Sequence, residues 1–113
     1  MARLVQGDVG SGKTLVAMSA MVTVCENGYQ SALMAPTEIL AKQHYATLST
    51  WAETVGLSIS LLTGSMSQTL RADALDAIKS GRSDIIVGTH ALIQEDVAFS
   101  KLGLVVIDEQ HRF

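Results

Sequence analysis

Gly7-Asp8-Val9-Gly10-Ser11-Gly12-Lys13-Thr14-Leu15 crowds three glycines, a lysine and a threonine into nine residues. Its first eight residues fit Gly-x-x-x-x-Gly-Lys-[Ser/Thr] without a mismatch. A polyphosphate carries several negative charges and takes many hydrogen-bond donors at once. A loop wrapped around it can point consecutive backbone N–H groups inward. Side chains would obstruct that approach, and some positions need positive φ, so glycine is used. A helix beginning near Lys13 adds the positive end of its dipole. In such a loop Lys13 reaches the β- and γ-phosphates and the Thr14 hydroxyl ligates Mg²⁺. The plainer alternative is a glycine-rich turn beside an exposed lysine. The flanks favour the phosphate loop. Residues 3–6 are short and partly apolar, as a buried strand would be. Residues 13–27 repeat apolar side chains at helical spacing through Leu15, Met18, Met21, Val22 and Cys25, before Asn27-Gly28 stops them.

Working outward, strand and helix keep alternating. A second strand is expected over 31–35, closed by Pro36. Thr37 caps a helix over 38–55, with Leu40, His44, Thr47 or Leu48, and Trp51 on one face and Gly56 at its end. A third strand runs over 57–62. A loop at 63–67 leads to a helix over 69–79 that turns Leu70, Ala74, Leu75 and Ile78 inward. A fourth strand at 84–88, a short helical turn at 91–94 and a fifth strand at 104–107 follow. The strands other than 57–62 are short and apolar-rich rather than alternating, the pattern of a parallel sheet covered on both faces. The expected fold is α/β, a P-loop protein of three layers, αβα, around a mostly parallel sheet.

The composition bounds what such a fold can do. With 113 residues there is room for one domain at most, and 48% hydrophobic residues supply a core. The net charge of -3, from 8 basic and 11 acidic residues, is not the footprint of a basic duplex-binding module. Cys25 stands alone, so no internal disulfide forms, and its apolar surroundings suggest a buried thiol in a reducing compartment. No charged-then-apolar leader opens the chain, and the apolar run over 14–25 is too short to span a bilayer. A cytoplasmic protein without a membrane partner is expected. His44, His90 and His111 lack cysteine partners and metal spacing, so no zinc site is expected.

A second constellation is Leu104-Val105-Val106-Ile107-Asp108-Glu109. Four apolar strand residues deliver two carboxylates to the carboxyl end of a parallel sheet, where ligands bind in open α/β folds. Asp108 is placed to hold Mg²⁺ through water, and Glu109 to polarise a water for attack on the γ-phosphate. Gln110 and His111 can sense that phosphate. Alone, this could be a solvated acidic strand end. Downstream of a phosphate loop it reads as the hydrolytic half of an ATP site, since a small-molecule kinase needs no dedicated water activator. The chain stops directly after these residues, which suggests a piece of a longer protein.

Taken together, "GDVGSGKT", "APTEILAKQH", "GTHALIQ" and "DEQH" resemble the superfamily-two DNA helicases and translocases. The RecG family of branched-DNA helicases is the nearest likeness and the Mfd translocases the near rival. The resemblance covers essentially the whole chain. It implies a RecA-like motor lobe, with 1–113 its incomplete ATP-binding domain, running from motif I to motif II. Motif I falls on Gly7 to Thr14, and motif II on Asp108, Glu109, Gln110 and His111. The turns Pro36-Thr37-Glu38, Thr63-Gly64-Ser65 and Thr89-His90 would face DNA, single-stranded or branched, using hydroxyls and backbone N–H groups rather than net positive charge. Without the resemblance these turns read as ordinary caps. Tyr45 and Trp51 sit at helical spacing beside leucines and are expected in the core rather than stacked on bases.

The family's motor closes two lobes on ATP. The second lobe with its arginine fingers and the DNA-recognition domain are absent from these residues, as is a strand that inserts beside the phosphate-loop strand. A gapped or partly exposed sheet is therefore expected. Three readings remain open: an ATP-driven DNA motor, a nucleotide-binding module without turnover, and an unrelated phosphate-loop enzyme such as a kinase, which "DEQH" and "APTEILAKQH" disfavour.

Overall fold

The computed structural model describes residues 3–7, 13–94 and 96–108, of which 3–7 and 13–15 are described as backbone only. Along them run β1 (Arg3–Gly7), α1 (Lys13–Glu26), β2 (Gln30–Met34), α2 (Glu38–Val55), β3 (Ile59–Leu62), α3 (Gln68–Ser80), β4 (Ile85–Gly88), a 3₁₀ turn (His90–Ile93) and β5 (Leu102–Asp108). The strands form one sheet in the order β1-β5-β2-β4-β3, and its pairings are parallel. Parallel neighbours need a crossover, and the helices supply it.

The sheet is sandwiched because successive strand side chains point to opposite faces. Leu33, Ile85, Val87, Leu104 and Val106 meet α1 and α2. Ala32, Leu62 and Ile86 meet α3 and the 3₁₀ turn. This is the three-layer α/β arrangement expected. The alternation in β3 has its reason in position: among the described residues it pairs with β4 alone, at the sheet edge, and its Ile59 and Leu61 are only partly buried. Buried polar groups in β2 are matched. The Gln30 Nε2 donates to the carbonyls of Ile78 (2.9 Å) and Ser83 (2.8 Å), its Oε1 accepts from the Lys101 N–H (3.0 Å), and the Ser31 hydroxyl donates to the Met21 carbonyl (3.1 Å).

Helix ends follow the sequence signals. Thr37 Oγ1 accepts from the Leu40 N–H at 3.2 Å, and Gly56 closes α2 with φ 76°. Helix faces follow less closely. Of the face expected on α2, Leu48 is buried, Leu40 packs against the core and His44 reaches buried Asp108, while Thr47 and Trp51 are exposed and Ala41, Tyr45 and Ala52 complete the inward side. Small alanines let this helix approach the sheet, which rotates Trp51 outward to 43% exposure, so its expected core place is corrected. Leu70, in the first turn of α3, is likewise exposed, because burial on that helix begins at Ala74. Of the gapped or partly exposed sheet expected, the described residues show no gap but an open edge at β1. Arg3 to Gly7 pair in register with Leu104 to Asp108, which satisfies one side of β1 and leaves it at an edge. No helix among the described residues is long and apolar enough to cross a membrane.

Candidate functional site

Parallel strands all finish on one edge of a sheet, so the turns after them collect there. Gly7, which opens the glycine-rich loop, lies directly opposite Asp108 in the β1–β5 register. Neighbouring strands are about 4.8 Å apart, so loop and carboxylate begin side by side. Helix α1 starts at Lys13, five residues beyond Asp8 and its neighbours, and packs back over β2 and β5. The N–H groups of its first turn therefore open toward the same edge. Asp8, Val9, Gly10, Ser11, Gly12, Glu109, Gln110 and His111 lie outside the described residues, as do the side chains of Lys13 and Thr14.

Asp108 continues the face of Leu104 and Val106, beneath α1 and α2, and is 3% exposed. Burying a carboxylate is costly unless partners meet it. One partner comes from α2: His44 Nε2 lies 2.8 Å from Asp108 Oδ2, the two side chains being 14% and 0% exposed. With its proton on Nε2 the imidazole donates to the carboxylate. Sequence reading placed His44 on a helix face without a role. Its signal was a polar ring between Leu40 and Leu48, at fourfold spacing on an otherwise apolar row.

The donor set suits Mg²⁺. Asp108 offers hard oxygens at the edge where the glycine-rich stretch begins, and among the described residues no group of three or more His, Cys, Asp or Glu side chains gathers around a metal position. Mg²⁺ characteristically takes one or two carboxylates and completes its shell with phosphate oxygens and water.

The other three turns sit together at the far end of the edge, after the adjacent strands β2, β4 and β3. They are tied to one another. The Ser65 hydroxyl donates to Glu38 Oε1, the Ala35 N–H to the Gly88 carbonyl (2.8 Å) and the Thr89 N–H to the Leu62 carbonyl (3.4 Å). Thr37, Gly64, Ser65 and His90 are exposed, and Pro36, Glu38 and Thr89 are half-buried. Thr63 differs: at 1% exposure it offers a ligand almost no surface, and its N–H points to Met66 Sδ at 3.2 Å. Thr37 and Thr89 also serve as caps, Thr89 Oγ1 accepting from the Ala91 N–H at 3.5 Å. Gly88 is required by packing, since a Cβ there would fall on the Leu62 carbonyl oxygen and 2.9 Å from Leu92 Cγ.

Comparison with known proteins agrees with this geometry. Residues 2–113 match the DEAD/DEAH box helicase family. The chain is 56% identical over all 113 residues to the ATP-dependent DNA helicases RecG of Acidithiobacillus ferridurans and of a Synechocystis species, spanning 16% and 14% of their lengths. Among solved structures, the Mycobacterium smegmatis helicase Lhr bound to ssDNA and AMP-PNP superposes with a TM-score of 0.70 at 25% identity, over 95% of this chain and 15% of that one. The C-terminal domain of yeast Dbp5 bound to Gle1 and IP6, at 18% identity and TM-score 0.61, shares the fold over 95% of this chain and 57% of that one. With Gly7, at the head of the glycine-rich stretch, paired to buried Asp108 in one parallel sheet, and with the family matched over residues 2–113, this chain belongs to the DEAD/DEAH box helicase family.

Proposed function

We propose that this chain is the ATP-binding part of the first RecA-like lobe of a RecG-type DNA helicase, a cytoplasmic enzyme that remodels branched DNA in recombination and repair. The register that sets Gly7 opposite Asp108, in a chain 56% identical to RecG relatives, is the observation that carries this reading. When bound, Mg·ATP supplies the phosphoanhydride whose hydrolysis drives the motor. Backbone N–H groups from Gly7 to Thr14 cradle the phosphates, Lys13 neutralises charge on the β- and γ-phosphates, and the Thr14 hydroxyl and Asp108, through water, hold the metal. Glu109 orients the attacking water and accepts its proton, while Gln110 and His111 register the γ-phosphate. A second lobe elsewhere in the full-length protein supplies positive charge to the transition state.

DNA runs past the opposite end of the same edge. Pro36, Thr37, Glu38, Gly64, Ser65, Thr89 and His90 present helix N-termini, hydroxyls and bare backbone to phosphates. Thr63, being buried, shapes that turn from beneath.

The test is ATP hydrolysis by the full-length protein with and without branched DNA. Branched DNA should stimulate turnover. Lys13→Ala should abolish nucleotide binding or turnover, and Glu109→Gln should keep ATP binding while lowering turnover by about 100-fold or more. An enzyme indifferent to DNA, or a Glu109→Gln variant with normal turnover, would overturn the assignment.

A further inference from the structure

His44 and Glu38 belong to one helix. Glu38 opens α2 and binds Ser65 of the neighbouring turn; six residues on, His44 binds Asp108. At 1.5 Å rise per residue the two contacts are about 9 Å apart along the axis. The helix is held against the sheet by Ala41, which lies between them and is fully buried, and by Leu48 one turn beyond His44. His44 also borders a small cavity of about 10 Å³ lined by Met18, Met21 and Leu33, roughly the room of one water. The imidazole is thus fixed between an apolar wall and a buried carboxylate oxygen.

We infer that His44 is a positioning residue: its Nε2–H orients the Asp108 carboxylate, so that α2 links the proposed DNA-facing turn at its N-terminus to the metal-binding aspartate. The inference rests on the function proposed above. A DNA strand bearing on Pro36, Thr37 and Glu38 would press on the start of α2. Because the helix is stiff and closely packed, displacement there is transmitted to His44 and from it to the orientation of Asp108. Groups that orient a metal-binding side chain commonly tune metal affinity by 10- to 100-fold.

Two variants of the full-length protein separate positioning from packing. His44→Gln keeps an N–H donor of similar reach, and His44→Leu fills the space without one. Binding of a fluorescent, non-hydrolysable ATP analogue is measured across a Mg²⁺ titration, together with the fold-stimulation of ATPase by branched DNA. His44→Leu should need about 10-fold more Mg²⁺ for half-maximal tight binding and lose most DNA stimulation, while His44→Gln stays close to wild type. Equal Mg²⁺ requirements in the two variants, or DNA stimulation intact in His44→Leu, would overturn the inference. Lys13→Ala serves as the control for the underlying reading: if it binds the analogue normally, the ATP site itself is misassigned, whatever the His44 variants do.

Discussion

At the scale of single residues, Gly88 and Cys25 make separate demands. Gly88 sits where three turns converge, and any side chain would strike the Leu62 carbonyl and Leu92. Gly88→Ala should destabilise the domain by about 1–3 kcal/mol, seen as a lower urea midpoint by intrinsic fluorescence. Cys25 is buried, and desolvation raises its thiol pKa; a bond to Ser31 only partly opposes this. The folded state therefore favours the neutral thiol, and its contribution to stability is full below the ordinary thiol range and lost as pH rises through the raised value. Iodoacetamide should label Cys25 slowly in the native protein at neutral pH and readily after unfolding, read at its own peptide by mass spectrometry. Both positions were visible in the sequence as a conspicuous Gly and a lone Cys. Their partners were not. Neither was the contact of His44 with Asp108, because nothing local links residues that far apart in the chain.

At the scale of elements, the terminal signals carry more information than the faces. Thr37 and Gly56 bound α2 as their chemistry requires, one accepting a first-turn N–H, the other adopting positive φ. Thr37→Ala should cost about 1 kcal/mol, measured by chemical denaturation, and Thr37→Asp should cost much less because Asp also caps. Along α2, Leu40, His44 and Leu48 face inward as expected, but Trp51 does not, and the alanines of that face were overlooked because large side chains draw the eye. Alanine at 41 and 52 contributes little apolar area, yet its smallness is what admits the helix to the sheet. The burial of Thr63, directly after β3, was equally illegible, since its hydroxyl reads as a surface group.

For the whole molecule, apolar strands alternating with helices were enough to give the parallel sheet and its two covering layers. Strand order was not legible: it depends on which crossovers skip a neighbour, and β1 lies beside β5 rather than β2. The order makes a measurable statement. Amide exchange of the full-length protein should be slowest in β2, between β5 and β4, and faster in β3, whose outer side is unpaired among the described residues. Equal protection in β2 and β3 would contradict that order.

The β1–β5 pairing also sets a timetable for biosynthesis. Its two partners stand about a hundred residues apart, so the strand that leads into the phosphate loop leaves the ribosome long before the one it will lie against. Through that interval the nascent chain can fold β2, β3 and β4 with their helices, but the proposed nucleotide site has no second wall. Ligand-assisted folding thus has to wait until Asp108 has emerged and β5 can dock against β1.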